Sequence, residues 1–139
     1  SGNISYAPED NERMVMVRAE KGARIADDIP EQDVYGPQEG KLLVVGWGST
    51  YGAIRSAVRS ARNTGKSVSH AHVRYLNPFP RNLGDLLGRF EKILVPELNL
   101  GQLSMLLNSR FPVRVIPLSK VQGHPFKIGE ILGTINEMV

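Results

Sequence analysis

Two groups of residues have the types and spacing to do chemistry. The first is the glycine run Gly46-x-Gly48-x-x-x-Gly52, which follows the apolar stretch Leu42 to Val45. A buried strand turning through glycines into a helix is how dinucleotide-binding units hold a pyrophosphate. The spacing departs by one residue from G-x-G-x-x-G, and a bare glycine pattern is a weak signal. The next strand, Ser69-His-Ala-His-Val-Arg-Tyr75, has no acid to meet ribose hydroxyls, although Arg74 could face a 2′-phosphate. This leaves open a small NADP- or coenzyme A-binding module using the Gly46–Gly52 turn with Arg74. The simpler reading is architectural: Gly48 permits a tight turn, Ser49 or Thr50 caps the helix, and Gly52 lets its first turn approach the sheet. Free N–H groups at Gly48, Ser49 and Thr50 then form a candidate anion site.

The second group is the histidines and acids at strand ends. His70 and His72 share one strand face, roughly 6.6 Å apart, which raises a zinc question with His124 as third ligand. The commoner role of such a pair is to pack under a helix with polar neighbours. Glu97, in Pro96-Glu-Leu-Asn99, ends a buried strand where open α/β sheets gather ligand-binding groups, and is the best single acid–base candidate. Its architectural role, with Asn99, is to accept the orphan N–H groups of the following helix. Ser49 and Ser104 have no nucleophile-elbow motif and no partnered His, so nucleophilic catalysis has no support.

The elements that must position these residues follow from periodicity. Met14, Val17 and Ile25 suggest a helix within residues 10–29, and Pro30 to Lys41, rich in Pro, Gly and acids, reads as a linker or surface loop in which Val34 and Tyr35 could form a short edge strand. Leu42 to Val45 is a strand covered on both faces. Ile54, Ala57, Val58 and Ala61 form one helical stripe opposite Arg55, Arg59 and Arg62, ended by Gly65. Val68 to Leu76 is a strand, and Leu83, Leu86, Leu87 and Phe90 mark a helix after the turn Asn77 to Arg81. Ile93 to Val95 and Val113 to Leu118 are strands. Leu100, Leu103 and Leu107 lie on one helix, and Ile128, Ile131, Leu132 and Ile135 on another. Alternation of this kind predicts an α/β fold with a mostly parallel sheet.

At 139 residues the chain is one ordinary domain. Cysteine is absent, which removes disulfides, thiolate metal sites, iron–sulfur ligation and cysteine nucleophiles. Net charge is +3, but the cations are scattered and aromatics are only 6%, which argues against nucleic acid. No apolar run approaches the roughly 20 residues of a membrane span and no signal pattern opens the chain, so the expectation is a soluble, cytoplasmic protein with no membrane partner. The opening Ser1-Gly-Asn, without Met, suggests a piece of a longer polypeptide.

Four ordered segments together carry a resemblance: Leu43-Val-Val-Gly-Trp-Gly-Ser-Thr-Tyr-Gly-Ala53, His72-Val-Arg-Tyr-Leu-Asn-Pro-Phe-Pro-Arg-Asn-Leu-Gly84, Leu94-Val-Pro-Glu-Leu-Asn-Leu-Gly-Gln-Leu103 and Lys120-Val-Gln-Gly-His-Pro-Phe126. The sequence resembles the C-terminal part of the alpha subunit of 2-oxoacid:ferredoxin oxidoreductases, most closely the 2-oxoglutarate type. Gly2-Asn-Ile-Ser-Tyr6 looks like the tail of the preceding domain. The resemblance implies a tail, linker helix and loop over residues 1–41 and a transketolase C-terminal-like domain over 42–139. That domain is three-layer α/β/α, with a five-stranded mixed sheet whose first strand, at Val34–Tyr35, runs against the others. It further implies a parent enzyme that oxidatively decarboxylates 2-oxoacids to acyl-coenzyme A, using thiamine diphosphate, Mg2+ and an iron–sulfur cluster, with coenzyme A as co-substrate and ferredoxin as acceptor. No thiamine-type Gly-Asp-Gly with a distal Asn occurs, since Gly84-Asp85 runs into Leu86. No catalytic residue, cofactor site or metal site of the family is therefore expected here. The implied role is assembly, against the other alpha-subunit domains and the beta subunit, with an exposed Phe79 and the Asn77 to Arg81 turn as contact points.

Overall fold

The computed structural model describes residues 15–16, 28–98, 101–120 and 124–139. Its centre is strand β2 (Gly40–Gly46), where Leu42, Leu43, Val44 and Val45 are wholly buried. Alternate side chains of a strand leave opposite faces, so this continuous apolar run must be covered on both. Leu43 and Val45 join one core, and Leu42 and Val44 join the other.

Each core is closed by helices. Helix α1 (Tyr51–Asn63) buries the expected stripe Ile54, Ala57, Val58 and Ala61 and packs with the last helix on the Leu42 side. It ends at a left-handed Gly65 (φ +89°), where Gly65 N–H donates to Arg62 O and Lys66 N–H to Ala61 O, closing the orphan carbonyls of the last turn. The opposite face is covered by α2 (Leu83–Leu87) and α3 (Gln102–Arg110) through Leu83, Leu86, Leu87, Leu103 and Leu107. Helix α4 (Ile128–Met138) inserts Ile131 and Ile135 beside α1. Complete burial of a Leu or Ile side chain contributes about 1.5–3 kcal/mol, so these stripes hold the layers together.

The sheet is parallel, in the order β3 (Val68–His72), β2, β5 (Phe90–Leu98), β6 (Val115–Lys120). The antiparallel first strand expected at Val34–Tyr35 is a single bridge, Tyr35 to His70, on the β3 edge. The segment around it is fixed to the domain: Gln32 Nε2 donates to His72 O, Gln32 N–H to Asn82 Oδ1, and Asn82 Nδ2 back to Gln32 O.

Several expected elements differ. The strand read as Val68 to Leu76 stops at His72, and Tyr75–Asn77 forms β4, paired in parallel with β1 (Val15–Met16). Val15–Met16 is thus a strand where a helix was expected, while Met14, Val17 and Ile25 lie outside the described residues. Phe90 opens β5 instead of extending α2, which stops at Gly88. Phe79, expected at the surface, is buried and packs against Phe111 with ring centroids 5.4 Å apart.

Candidate functional site

The carboxyl ends of β2, β3 and β5 bring Trp47, His72 and Glu97 to one edge of the sheet, the edge at which open α/β folds place ligand sites. The turn between β2 and α1 is set by two glycines. A Cβ on Gly46 would lie 2.4 Å from Ile54 Cδ1 and 3.0 Å from His72 Nδ1, so hydrogen alone fits there. Gly48 has φ +63°, a conformation that favours glycine. Gly52, expected to make the close approach, faces open space; that part falls to Gly46. Neither Ser49 nor Thr50 caps α1 with its side chain, because the Thr50 hydroxyl donates back to Trp47 O at 2.9 Å.

Glu97 is 1% exposed and both oxygens of its carboxylate accept hydrogen bonds. Oε1 accepts Leu103 N–H at 2.7 Å and the Trp47 indole N–H at 3.2 Å, and Oε2 accepts Ser104 N–H at 2.9 Å. It neutralises the start of α3, whose own N-cap, Gly101, has no side chain to do so. Of the two capping residues expected, Glu97 performs the task; Asn99 lies outside the described residues. Ser104 Oγ is buried without a partner among the described residues.

The two histidines form a chain. Arg55 Nε–H donates to His70 Nδ1 at 3.2 Å, which puts the His70 proton on Nε2. That proton faces His72 Nδ1 at 3.3 Å, so the His72 proton sits on Nε2, 3.1 Å from Gly48 O. Burial, then His72, Arg55 and Arg74, push the His70 pKa down to about 2. Burial lowers His72 to about 4, the bond to Gly48 O opposing it and Arg74 and Arg55 reinforcing it. Both rings are thus neutral at pH 7. Every ring nitrogen of the pair has a hydrogen-bond partner, His124 is exposed, and no three His, Cys, Asp or Glu are grouped to hold a metal among the described residues.

Beside this chain lies a cavity of about 230 Å³, walled by Tyr35, Tyr51, Arg55 and Arg74 and floored by His70 and His72. The Arg55 guanidinium sits 4.3 Å from the Tyr35 ring centroid and 4.9 Å from that of Tyr51, and Arg74 sits 6.0 Å from Tyr51. Sequence reasoning singled out Arg74 but left Arg55 on the polar face of α1. The available signal was its place four residues after Tyr51 on one helix face.

The family described as pyruvate:ferredoxin oxidoreductase core domain II matches residues 40–131. The chain belongs to that family. This core domain II is 47% identical over 132 residues, 94% of its length, to the 2-oxoglutarate oxidoreductase subunit KorA of Mycobacterium tuberculosis, of which it covers 20%. Its fold matches a solved 2-oxoglutarate:ferredoxin oxidoreductase from Magnetococcus marinus with TM-score 0.78 and 27% identity, over 84% of this chain and 21% of that one. A split-gene transketolase shares the fold at TM-score 0.54 and 12% identity, over 70% of this chain and 38% of that one. The domain thus spans about a fifth of the oxidoreductase chains it resembles. Among its described residues no helix is long and apolar enough to cross a membrane.

Proposed function

We propose that this core domain II is the C-terminal assembly domain of the alpha subunit of a 2-oxoglutarate:ferredoxin oxidoreductase. It holds the other alpha-subunit domains and the beta subunit in register and contributes no catalytic group. In this reading residues 1–41 are the tail and linker, and residues 42–139 the domain itself. The substrate assignment rests on the likeness to the 2-oxoglutarate oxidoreductases of M. tuberculosis and M. marinus.

The observation that carries the reading is that the groups best placed for chemistry are spent on architecture. Glu97 is buried and accepts three N–H groups, and the His70–His72 pair uses all four ring nitrogens, so all three side chains are held in internal hydrogen bonds. A general acid or base must reach the proton it moves. The residues present also do not fit the parent's prosthetic groups: the chain has no cysteine for a cluster, and the described residues hold no metal-binding group of three. In this reading thiamine diphosphate, Mg2+ and the iron–sulfur cluster lie in other domains, and ferredoxin and coenzyme A meet the complex there.

The test is direct. The 139-residue chain, incubated with 2-oxoglutarate, coenzyme A, thiamine diphosphate and a viologen acceptor, is expected to reduce none of the acceptor. Turnover above the buffer blank would refute the proposal.

A further inference from the structure

The cavity between Tyr35, the first turns of α1 and the end of β3 has a chemistry that the assembly role does not use. Arg55 is its central feature. Its guanidinium is half-buried between two tyrosine rings, and only Nε–H is committed, to His70. Four further N–H donors remain on the two terminal nitrogens. Among the described residues no carboxylate forms an ion pair with it. Taking a guanidinium out of water is costly unless an anion meets it, and stacking between rings fixes its fork in advance of a partner.

The surroundings favour the same partner. Arg74 brings a second guanidinium to the cavity, and the exposed Asp33 carboxylate also lines it. Both imidazoles of the floor stay neutral at pH 7. At about 230 Å³ the space falls below the roughly 300–1,000 Å³ of pockets that enclose drug-sized molecules. A single compact group fits it better than a dinucleotide does.

We propose that this cavity is a binding site for a compact oxyanion, a phosphate or carboxylate group, gripped by Arg55 and Arg74 between the rings of Tyr35 and Tyr51. The Arg fork matches two oxygens of either group. The site stands on side chains from α1, β3 and the segment before β2. It differs from the backbone N–H groups of Gly48, Ser49 and Thr50, and it does not depend on which 2-oxoacid the parent enzyme uses.

The experiment is a titration of the 15N-labelled 139-residue chain at pH 7, followed through the Arg55 Nε–H and Tyr51 amide signals. Sodium phosphate, sodium acetate and sodium chloride are compared at equal ionic strength. The expected result is a saturable shift with phosphate or acetate, whichever group the site prefers, and none with chloride. Arg55→Gln should weaken binding at least tenfold, while Arg59→Gln, on the exposed face of the same helix, should leave it unchanged. Should Arg55→Gln fail to fold, Arg74→Gln at its solvent-exposed position is to show the same loss. Shifts that follow ionic strength alone, or that persist in both arginine variants, would overturn the proposal.

Discussion

Glu97 Oε1 accepts the backbone N–H of Leu103 at 2.7 Å while Oε2 accepts that of Ser104 at 2.9 Å, so the last residues of β5 cap the helix that follows. A buried carboxylate is tolerated here because oriented N–H dipoles and the Trp47 indole replace its water. Glu97→Ala would leave these three donors orphaned inside the protein. The expected loss is about 2–4 kcal/mol. Glu97→Gln, which keeps an acceptor but not the charge, should lose less. Urea unfolding followed by Trp47 fluorescence measures both, and a Glu97→Ala variant as stable as the parent chain would remove this account of the residue.

The histidine chain predicts acid lability with a definite sign. His70 and His72 have folded pKa values near 2 and 4 against an unfolded value of 6.5, so the unfolded chain binds more protons as pH falls below about 6.5. Their contribution is fully present above that pH and is lost progressively as pH drops toward 4, at up to about 1.4 kcal/mol per pH unit for each ring. The urea midpoint should fall between pH 7 and pH 5, where carboxylates contribute little. A flat midpoint, or imidazole resonances titrating near pH 6.5, would contradict the buried, hydrogen-bonded arrangement.

The glycines separate by what surrounds them. Gly46→Ala would push a methyl into Ile54 Cδ1 and His72, and is expected to destabilise by about 1–3 kcal/mol. Adding Ile54→Val removes the clashing methyl, so the double variant should be more stable than the sum of the single changes predicts. Strict additivity would mean that the clash is relieved elsewhere. Gly52→Ala meets nothing within 4 Å and should stabilise α1 by about 0.5 kcal/mol.

Legibility in the sequence tracked how local the cause was. The buried run Leu42 to Val45 and the α1 stripe are periodic signals, and both formed the elements they predict. Strand β5 runs past Val95 through Pro96 because its pairing with β2 ends at Leu94, and only the β6 edge continues beside the proline. The role of Gly46 was hidden because it depends on Ile54 and on His72, which sits opposite it in the β2–β3 register. The spacing of His70 and His72 showed a shared face but not that Arg55, fifteen residues earlier, donates to one of them. The cavity was the least legible feature, since Tyr35, Arg55 and Arg74 come from three separate segments that only the tertiary fold brings together.

The proposed role of the domain is to assemble an enzyme without taking part in its chemistry. The most direct measurement removes this segment from the parent alpha subunit and follows two readouts: co-elution with the beta subunit by size exclusion, and 2-oxoglutarate-dependent reduction of ferredoxin. The complex is expected to fall apart, and activity to be lost with it. A truncated subunit that still forms the complex yet has lost turnover would place chemistry in this domain, and a complex that survives with its activity intact would rule out an assembly role.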